Sequence, residues 1–215
     1  MRYKFSELTP EIVRLADMSL DGYRIDPELY TQYDVKRGLR DINGNGVVAG
    51  LTNISTIKVL DMGDGMPNHG DGKLYYRGID VEDIVAGFIK EKRFGFEETV
   101  YLLLFGKMPS ESELHEFGKI LAEFRELPSN FMRDVIMKAP TDNMMNTLAK
   151  SVLSLYSYDD KANDISIPNV LRQSIELITL FPVISAYAYH AYKYARLGGS
   201  LFIHSPQPEL SIAEN

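Results

Sequence analysis

The sequence predicts a mainly α-helical fold with a small antiparallel β element near residues 46–78. Helix-start signals recur along the chain, and the clearest is Ser110–Glu113, a capping box in which each end side chain bonds the other residue's backbone amide. Two β-branched runs, Gly46–Thr52 and Ser55–Asp61, interrupt that helical pattern. The segment Lys73–Gly78 is a third strand candidate. We therefore expect helices packed around one short β-meander.

The helix starts are predicted from residues that cap a first turn, and the helix ends are predicted from glycines that follow a last turn. They are predicted from Thr9 to about Leu20, Pro27 to about Tyr33, Asp80 to about Lys92, Phe96 to Phe105, Ser110 to about Glu126, Ser129 to about Lys138, Thr141 to about Tyr156 and Ser166 to about Arg196. A turn-rich loop is predicted over Asp61–Gly72. No linker composition marks a boundary, so residues 1–215 are expected to form part of one domain.

Composition excludes several classes of protein. The 215 residues are 45% hydrophobic and 25% charged, which is typical of a globular protein. A net charge of −7 argues against nucleic acid or an anionic membrane as the main partner. The absence of cysteine excludes disulfides and thiolate chemistry. Because no signal peptide or uncharged run long enough to span a membrane is present, we expect a cytoplasmic protein.

Two glycine-rich motifs suggest ligands but lack the required context. Asp41–Gly46 matches the first half of a calcium loop, yet the twelfth position is Thr52 instead of a bidentate Glu. Gly44–Gly50 resembles a dinucleotide-binding loop, but no strand is predicted before it and no helix after it. A turn that enters a hairpin is the preferred interpretation of both.

The histidines do not form a recognisable catalytic or metal-binding set. Asp61, Asp64, His69 and Asp71 share one loop and could ligate a metal, but their spacing matches no known ligand pattern. A flexible loop is therefore the preferred interpretation. The other three histidines are interpreted as a surface residue, a core or interface residue and a loop residue; they are His115, His190 and His204. The sequence predicts no metal site and no catalytic residue.

Several sequence segments, taken in their order along the chain, resemble one protein family. They are "GLRDINGNGVVAGLTNIS" from Gly38, "KLYYRGIDVEDIV" from Lys73, "FEETVYLLLFGKMPSESEL" from Phe96, "LSLYSYDD" from Leu153, "LRQSIELITLFPVISAYAY" from Leu171 and "SIAEN" from Ser211. Together they resemble the N-terminal half of citrate synthase, including its 2-methylcitrate relatives. The resemblance implies a multi-helical fragment of the large citrate synthase domain, with the small β element near residues 46–78.

The resemblance implies a carbon–carbon bond-forming acyltransferase. The family joins acetyl-CoA, or propionyl-CoA in the 2-methylcitrate relatives, to oxaloacetate, with acyl-CoA as co-substrate and no prosthetic group. Its catalytic Asp and His residues belong to the C-terminal half, so none is assigned here. Asn68-His69-Gly70 superficially resembles a catalytic His-Gly stretch but precedes Lys73–Gly78, which is the wrong position. The chain alone is therefore expected to be inactive.

The same resemblance suggests two arginines that contact CoA phosphates. Arg40 lies in the turn Gly38-Leu39-Arg40, which matches a family turn with that role. Arg172, near the start of the longest predicted helix, is a weaker match. A guanidinium can bind phosphate through two parallel hydrogen bonds. The alternative for each is an ion pair on the protein itself.

The last residues contain a second capping box, Ser211–Glu214, which predicts the start of a helix. In the family a helix begins at the corresponding phrase and the chain continues for about as long again. We therefore expect the sequence to be the N-terminal part of such an enzyme. The sequence does not distinguish citrate from 2-methylcitrate synthase.

A homodimer is expected through the helices at about residues 142–156 and 167–196, because the corresponding helices pair in the family. The second helix has apolar residues on more positions than one buried stripe needs. They are Ile175, Ile178, Phe181, Ile184, Tyr187 and Tyr192. The alternative to a divided enzyme is a stand-alone helical interaction or dimerisation domain without catalysis.

Overall fold

A computed structural model describes residues 6–36, 38–40, 43–44, 47–61 and 68–215. Its mainly helical structure, with one small antiparallel sheet, confirms the predicted fold class. The chain divides into two compact units. One unit contains the described residues up to Asp17 together with Ser110–Asn215, and the other is Met18–Pro109.

The elements follow one another in the order that the capping signals predict. The helices are α1 (Pro10–Tyr23), α2 (Pro27–Gln32), α3 (Val81–Lys90), α4 (Phe96–Phe105), α5 (Glu111–Glu123), α6 (Met144–Leu155) and α7 (Ile167–Leu197). The strands are β1 (Ser55–Asp61), β2 (Asn68–Tyr76) and β3 (Ile79–Asp80). A π-helical turn occupies Met132–Ile136 and a 3₁₀ turn occupies Tyr156–Tyr158.

Side-chain caps explain where the helices begin and end. The Asp80 carboxylate accepts from the Glu82 amide at 3.0 Å and starts α3. At α5 both capping-box bonds form, since the Glu113 amide donates to the Ser110 hydroxyl and the Ser110 amide donates to the Glu113 carboxylate. Gly106 ends α4 with a φ of 77°, a left-handed conformation that glycine adopts without a steric penalty.

The sheet is antiparallel in the order β1-β2-β3, and it corrects two expectations. The described residues of the run Gly46–Thr52, from Val47 onward, form no strand; Gly46 lies outside the described residues. Residues 68–72, predicted as loop, instead extend β2, since Asn68 pairs with Asp61. The β-branched run lacked a partner strand, whereas the Gly-rich segment gained one.

Two helix predictions between α5 and α6 also need correction. The helix predicted from Ser129 to about Lys138 is a short π-helical turn, in which the Met137 amide donates to the Met132 carbonyl at 2.9 Å. The following helix begins at Met144 rather than near Thr141, because Asn143 caps it through the Asn146 amide.

The core of the unit that contains Ser110–Asn215 forms along α7. Seven buried residues make up this cluster: Phe131, Ile136, Leu155, Leu180, Ile184, Ala188 and Ala191. Two of the apolar α7 positions proposed for an interface, Ile175 and Ile184, are 0% exposed within the single chain. These two side chains therefore stabilise the fold of one chain and are unavailable to a second copy.

The second capping box forms as predicted. The Ser211 amide donates to the Glu214 carboxylate at 2.8 Å, and the Glu214 amide donates to the Ser211 hydroxyl at 3.2 Å. The backbone hydrogen bond from Ser211 lowers the pKa of Glu214 below its ordinary value. The Asn215 amide group adds bonds to the Gln207, Leu210 and Ser211 carbonyls, and so fixes the shape of this segment.

Two glycines of the Met18–Pro109 unit should respond in opposite ways to alanine. A Cβ at Gly95 would lie 2.1 Å from the Phe88 ring, whereas a Cβ at Gly87, inside α3, would meet no atom within 4 Å. We predict that Gly95→Ala destabilises by about 1–3 kcal/mol through overpacking. Gly87→Ala should stabilise by roughly 0.5–1 kcal/mol, because alanine loses less backbone entropy in a helix. Urea unfolding of both variants checks this, and equal effects would contradict the packing.

Candidate functional site

Arg40 lies in an exposed turn after α2. Its Nη1 donates to the Gly44 carbonyl at 2.8 Å, and Gly44 has a φ of 81°. No other partner of the Arg40 guanidinium occurs among the described residues, so most of its donors face solvent. An exposed guanidinium held at one edge could meet a phosphate, and the contact of Arg40 with CoA stays a prediction.

Arg172 occupies a very different environment, because its side chain is 0% exposed. Its Nη2 lies 2.6 Å from the Asp159 carboxylate, and its Nη1 donates to both Glu176 oxygens at 2.9 Å. Nε and Nη2 also donate to the Asn169 side-chain oxygen. Protein oxygens therefore surround the guanidinium from several directions.

The neighbours of Arg172 attach the loop 159–164 to the first turns of α7. The Asn169 amide donates to the Lys161 and Asp164 carbonyls at 2.9 and 2.7 Å. The Gln173 amide donates to the Asp159 carboxylate at 3.0 Å. The α7 positions 169, 172 and 173 share one face of the helix, so three successive side chains on that face hold one loop.

In this cluster, hydrogen bonds and charge pairing affect the pKa values of the buried groups more than burial does. Burial acts to raise the pKa of the Asp159 carboxyl, but hydrogen bonds from Gln173 and Arg172 outweigh it and hold the pKa below its ordinary value. Burial likewise acts to lower the pKa of Arg172, but the hydrogen bond to Asp159 and the charge of Glu176 raise it. These contacts favour a structural role for Arg172, and its phosphate contact stays an untested prediction.

The described histidines do not converge on a reactive centre. His115 is exposed on α5, and His204 is exposed with its carbonyl bonded by the Tyr187 hydroxyl at 3.2 Å. The half-buried His190 lies edge-on to the Tyr189 ring at 6.0 Å between ring centres. Across the described residues, no group of three or more His, Asp or Glu is placed to hold a metal ion. The side chain of His69 lies outside the described part.

Arg77 was not singled out from the sequence, yet its side chain makes four hydrogen bonds in the Met18–Pro109 unit. Its Nε and Nη2 donate to the Leu103 carbonyl at 3.2 and 2.8 Å, near the end of α4. Its Nη1 donates to the Gly22 carbonyl in α1 and to the Asn53 side-chain oxygen, each at 2.9 Å. The guanidinium also lies 5.2 Å from the Tyr23 ring centre.

The backbone at Arg77 carries the one local signal for this role. Arg77 and Gly78 have φ values of 49° and 85° and form the two-residue turn between paired Tyr76 and Ile79. Two left-handed residues in such a hairpin are typical of a type I′ turn, which usually contains Asn or Gly. The sequence analysis placed both residues inside the strand candidate Lys73–Gly78, so this turn was not predicted, and the distant partners of Arg77 could not be inferred from the sequence.

No helix in the described ranges is both long and apolar enough to cross a membrane.

Comparison with known proteins decides the family. The model of the family described as "Citrate synthase, C-terminal domain" matches residues 41–215, which is most of the chain. This chain belongs to the citrate synthase family. The family predicted from the sequence phrases is thereby confirmed, whereas its assignment to the N-terminal half stays a prediction of the resemblance.

Individual relatives match over limited parts of their length. A citrate synthase of Corynebacterium glutamicum is 32% identical over 146 residues, covering 67% of this chain and 30% of that protein. 2-Methylcitrate synthase 1 of the same organism is 30% identical over 125 residues, covering 58% of this chain and 27% of that protein. The chain thus spans less than a third of the length of these curated relatives.

A solved structure shares the fold. Thermoplasma acidophilum citrate synthase, in ternary complex with carboxymethyl coenzyme A and oxaloacetate, aligns with a TM-score of 0.61. The alignment covers 84% of this chain and 40% of that chain at 21% identity. At this identity the likeness establishes the fold, which is the helical fold that the capping pattern predicts.

The buried cluster around Arg172 makes a sharp prediction about stability. Arg172→Leu removes the cation and strands two buried carboxylates, Asp159 and Glu176, so it should destabilise by about 3–5 kcal/mol. The matched control is Arg133→Leu, because Arg133 forms an exposed pair with Asp134. That change should cost at most about 1 kcal/mol. Equilibrium urea unfolding measures both, and a small effect of Arg172→Leu would contradict the cluster's structural role.

Proposed function

We propose that this chain is part of a citrate synthase-type enzyme that condenses acetyl-CoA, or propionyl-CoA, with oxaloacetate. The observation that carries the proposal is the family match over residues 41–215. The ternary complex of the fold neighbour supports the choice of ligands, since it contains a coenzyme A derivative and oxaloacetate. Both citrate and 2-methylcitrate synthases are among the relatives, so the acyl group is left open between acetyl and propionyl.

We further propose that the chain cannot catalyse the reaction alone. Condensation needs a base beside the acyl methyl or methylene group and a donor at the thioester oxygen, both fixed in one closed site. The described histidines lie apart on α5, on α7 and in the following loop, without a paired carboxylate. The missing groups would come from the family's C-terminal half.

The test is thiol release from acetyl-CoA that depends on oxaloacetate. We predict no saturable turnover with the purified chain, whose identity is checked by intact mass. Turnover should appear when the C-terminal portion of a citrate synthase is supplied in trans. Saturable turnover by the chain alone that disappears in His190→Ala or His204→Ala would overturn the proposal of inactivity.

A homodimer through α6 and α7 is the assembly we propose. Both helices carry large apolar side chains that remain exposed in the single chain. On α6, Met145 and Leu153 are spaced eight residues apart, and Leu153 is 76% exposed. On α7, Phe181 and Tyr189 have the same spacing, and Phe181 is 39% exposed. Residues eight apart point about 80° away from each other around an α-helix, which is within the width of one apolar stripe.

Association should therefore respond to the exposed stripes rather than to the buried positions. Leu153→Asp and Phe181→Asp are predicted to weaken self-association in sedimentation velocity experiments, because each places a charge in an apolar contact. The matched control is Val13→Asp, an exposed apolar position on α1 that should leave association unchanged. Ile184→Asp is unsuitable as a test, because Ile184 belongs to the core of the single chain. Wild-type protein that stays monomeric at all concentrations would contradict the dimer.

The same exposed stripes support a second candidate function, a helical interaction or dimerisation domain without catalysis. The two candidates make different predictions in the trans assay. A divided enzyme recovers activity with the C-terminal portion, whereas an interaction domain associates with itself and never supports turnover.

Arg40 is proposed to contribute to CoA binding in an enzyme that contains this chain. Arg40→Ala there should weaken CoA binding by roughly 1.5–3 kcal/mol, the range for a charge-assisted hydrogen bond, and leave oxaloacetate affinity nearly intact. Isothermal titration with each ligand measures both quantities. Arg14→Ala is the control, because Arg14 is also exposed but pairs with Glu116. Unchanged CoA affinity in Arg40→Ala would show that Arg40 is a surface charge without a role in CoA binding.

A further inference from the structure

Arg77 carries a positive charge that no carboxylate balances among the described residues. Its hydrogen bonds go to two backbone carbonyls and to one side-chain amide oxygen. Two of these acceptors lie near the ends of helices, Gly22 in α1 and Leu103 in α4. Helix C-termini carry partial negative charge, so they hold the guanidinium in place without a formal counter-ion.

The Arg77 side chain lines an open concavity of about 540 Å³ within the Met18–Pro109 unit. Gly22, Asn53, Gly106 and Lys107 also line it, and the lining residues that the structure describes include no Asp or Glu. Two cationic residues thus face one concave surface in a chain whose net charge is −7. A concave site with positive charge and low-dielectric walls concentrates anions.

Hydrogen-bond donors remain available on two of the lining side chains. A guanidinium has five N–H groups, and the bonds of Arg77 leave one Nη2–H without a partner in the described part of the chain. The Asn53 amide donates one hydrogen to the Gly22 carbonyl at 2.7 Å and keeps the other. Because Asn53 also bonds Nη1 of Arg77, the two remaining donors belong to adjacent groups.

We propose that this concavity is a binding subsite for a small-molecule oxyanion, a carboxylate or a phosphate, held by Arg77 and Asn53. A guanidinium and a neighbouring amide can donate to two oxygens of one such group. Lys107 adds positive charge at the rim. The subsite is independent of the condensation reaction proposed above, since it uses neither Arg40 nor any catalytic group.

Two probes test the subsite, inorganic phosphate and malonate, each titrated at ionic strength matched with sodium chloride. The backbone amides of Gly22, Gly106 and Lys107 should shift saturably in ¹H–¹⁵N spectra of the full chain. The probe that binds more tightly identifies the preferred chemistry, phosphate or carboxylate. Absence of a saturable shift with both probes would overturn the proposal.

Asn53→Asp is the decisive variant. The new carboxylate can still accept from Arg77, but it supplies the missing counter-ion and removes the amide donor. Binding of the tighter probe should weaken by at least about tenfold. Gln32→Glu is the control, since it adds the same charge at an exposed position of α2 in the same unit and should leave affinity unchanged.

A second variant keeps the proposal testable if Asn53→Asp does not fold. Lys107→Glu reverses an exposed charge at the rim and should weaken binding about three- to fivefold. Equal affinity of wild type and a folded Asn53→Asp, or an equal loss in Gln32→Glu, would overturn the subsite. If Asn53→Asp does not fold, unchanged affinity in Lys107→Glu would do so.

Discussion

The fork of N–H groups on one guanidinium joins segments that are far apart in the sequence of the Met18–Pro109 unit. Arg77 connects α1 through Gly22, the segment just before β1 through Asn53, and α4 through Leu103. Its left-handed backbone costs roughly 1–2 kcal/mol. Four hydrogen bonds from the side chain, each contributing about 0.5–1.5 kcal/mol, outweigh that cost. The turn between β2 and β3 is therefore positioned by contacts with both helices and not by the sheet alone.

Arg77 and Arg172 illustrate two ways of stabilising a guanidinium. Arg77 relies on carbonyl dipoles and keeps its net charge, whereas Arg172 is surrounded by the carboxylates of Asp159 and Glu176. The first arrangement can still attract an anion, and the second cannot without displacing a protein carboxylate. The surroundings of an arginine thus say more about its role than its position in a motif does.

Local signals allowed most of the fold to be predicted, and strand pairing accounts for the failures in the sheet. The caps at Asp80 and Ser110 involve residues two or three apart, so the sequence contains both partners. Residues 68–72 were assigned to a loop from their glycine content, but pairing with β1 overrides that preference. Val47–Thr52 had β-branched residues, but no strand in the described part of the chain pairs with it.

For the candidate site, too, local features could be predicted from the sequence and contacts between distant residues could not. The family could be recognised because each of its characteristic segments is contiguous in the sequence. The turn at Arg40 could be predicted because its residues are close together in the chain. The burial of Arg172 depends on Asp159, thirteen positions earlier, and the contacts of Arg77 span up to fifty-five positions. A guanidinium gives no sign of its partners in the sequence, so these roles required the folded structure.

The π-helical turn at Met132–Ile136 has a consequence for reading related sequences. Its hydrogen bond from Met137 to Met132 encloses one residue more than an α-helical turn does. The wider turn brings Phe131 and Ile136, five positions apart, into the same core cluster. A relative with a regular α-helix here would be one residue shorter at this point. An alignment of this chain with such a relative that places no gap at the turn would therefore be wrong by one residue beyond it. Each buried residue of one chain would then be aligned with the neighbour of its true counterpart.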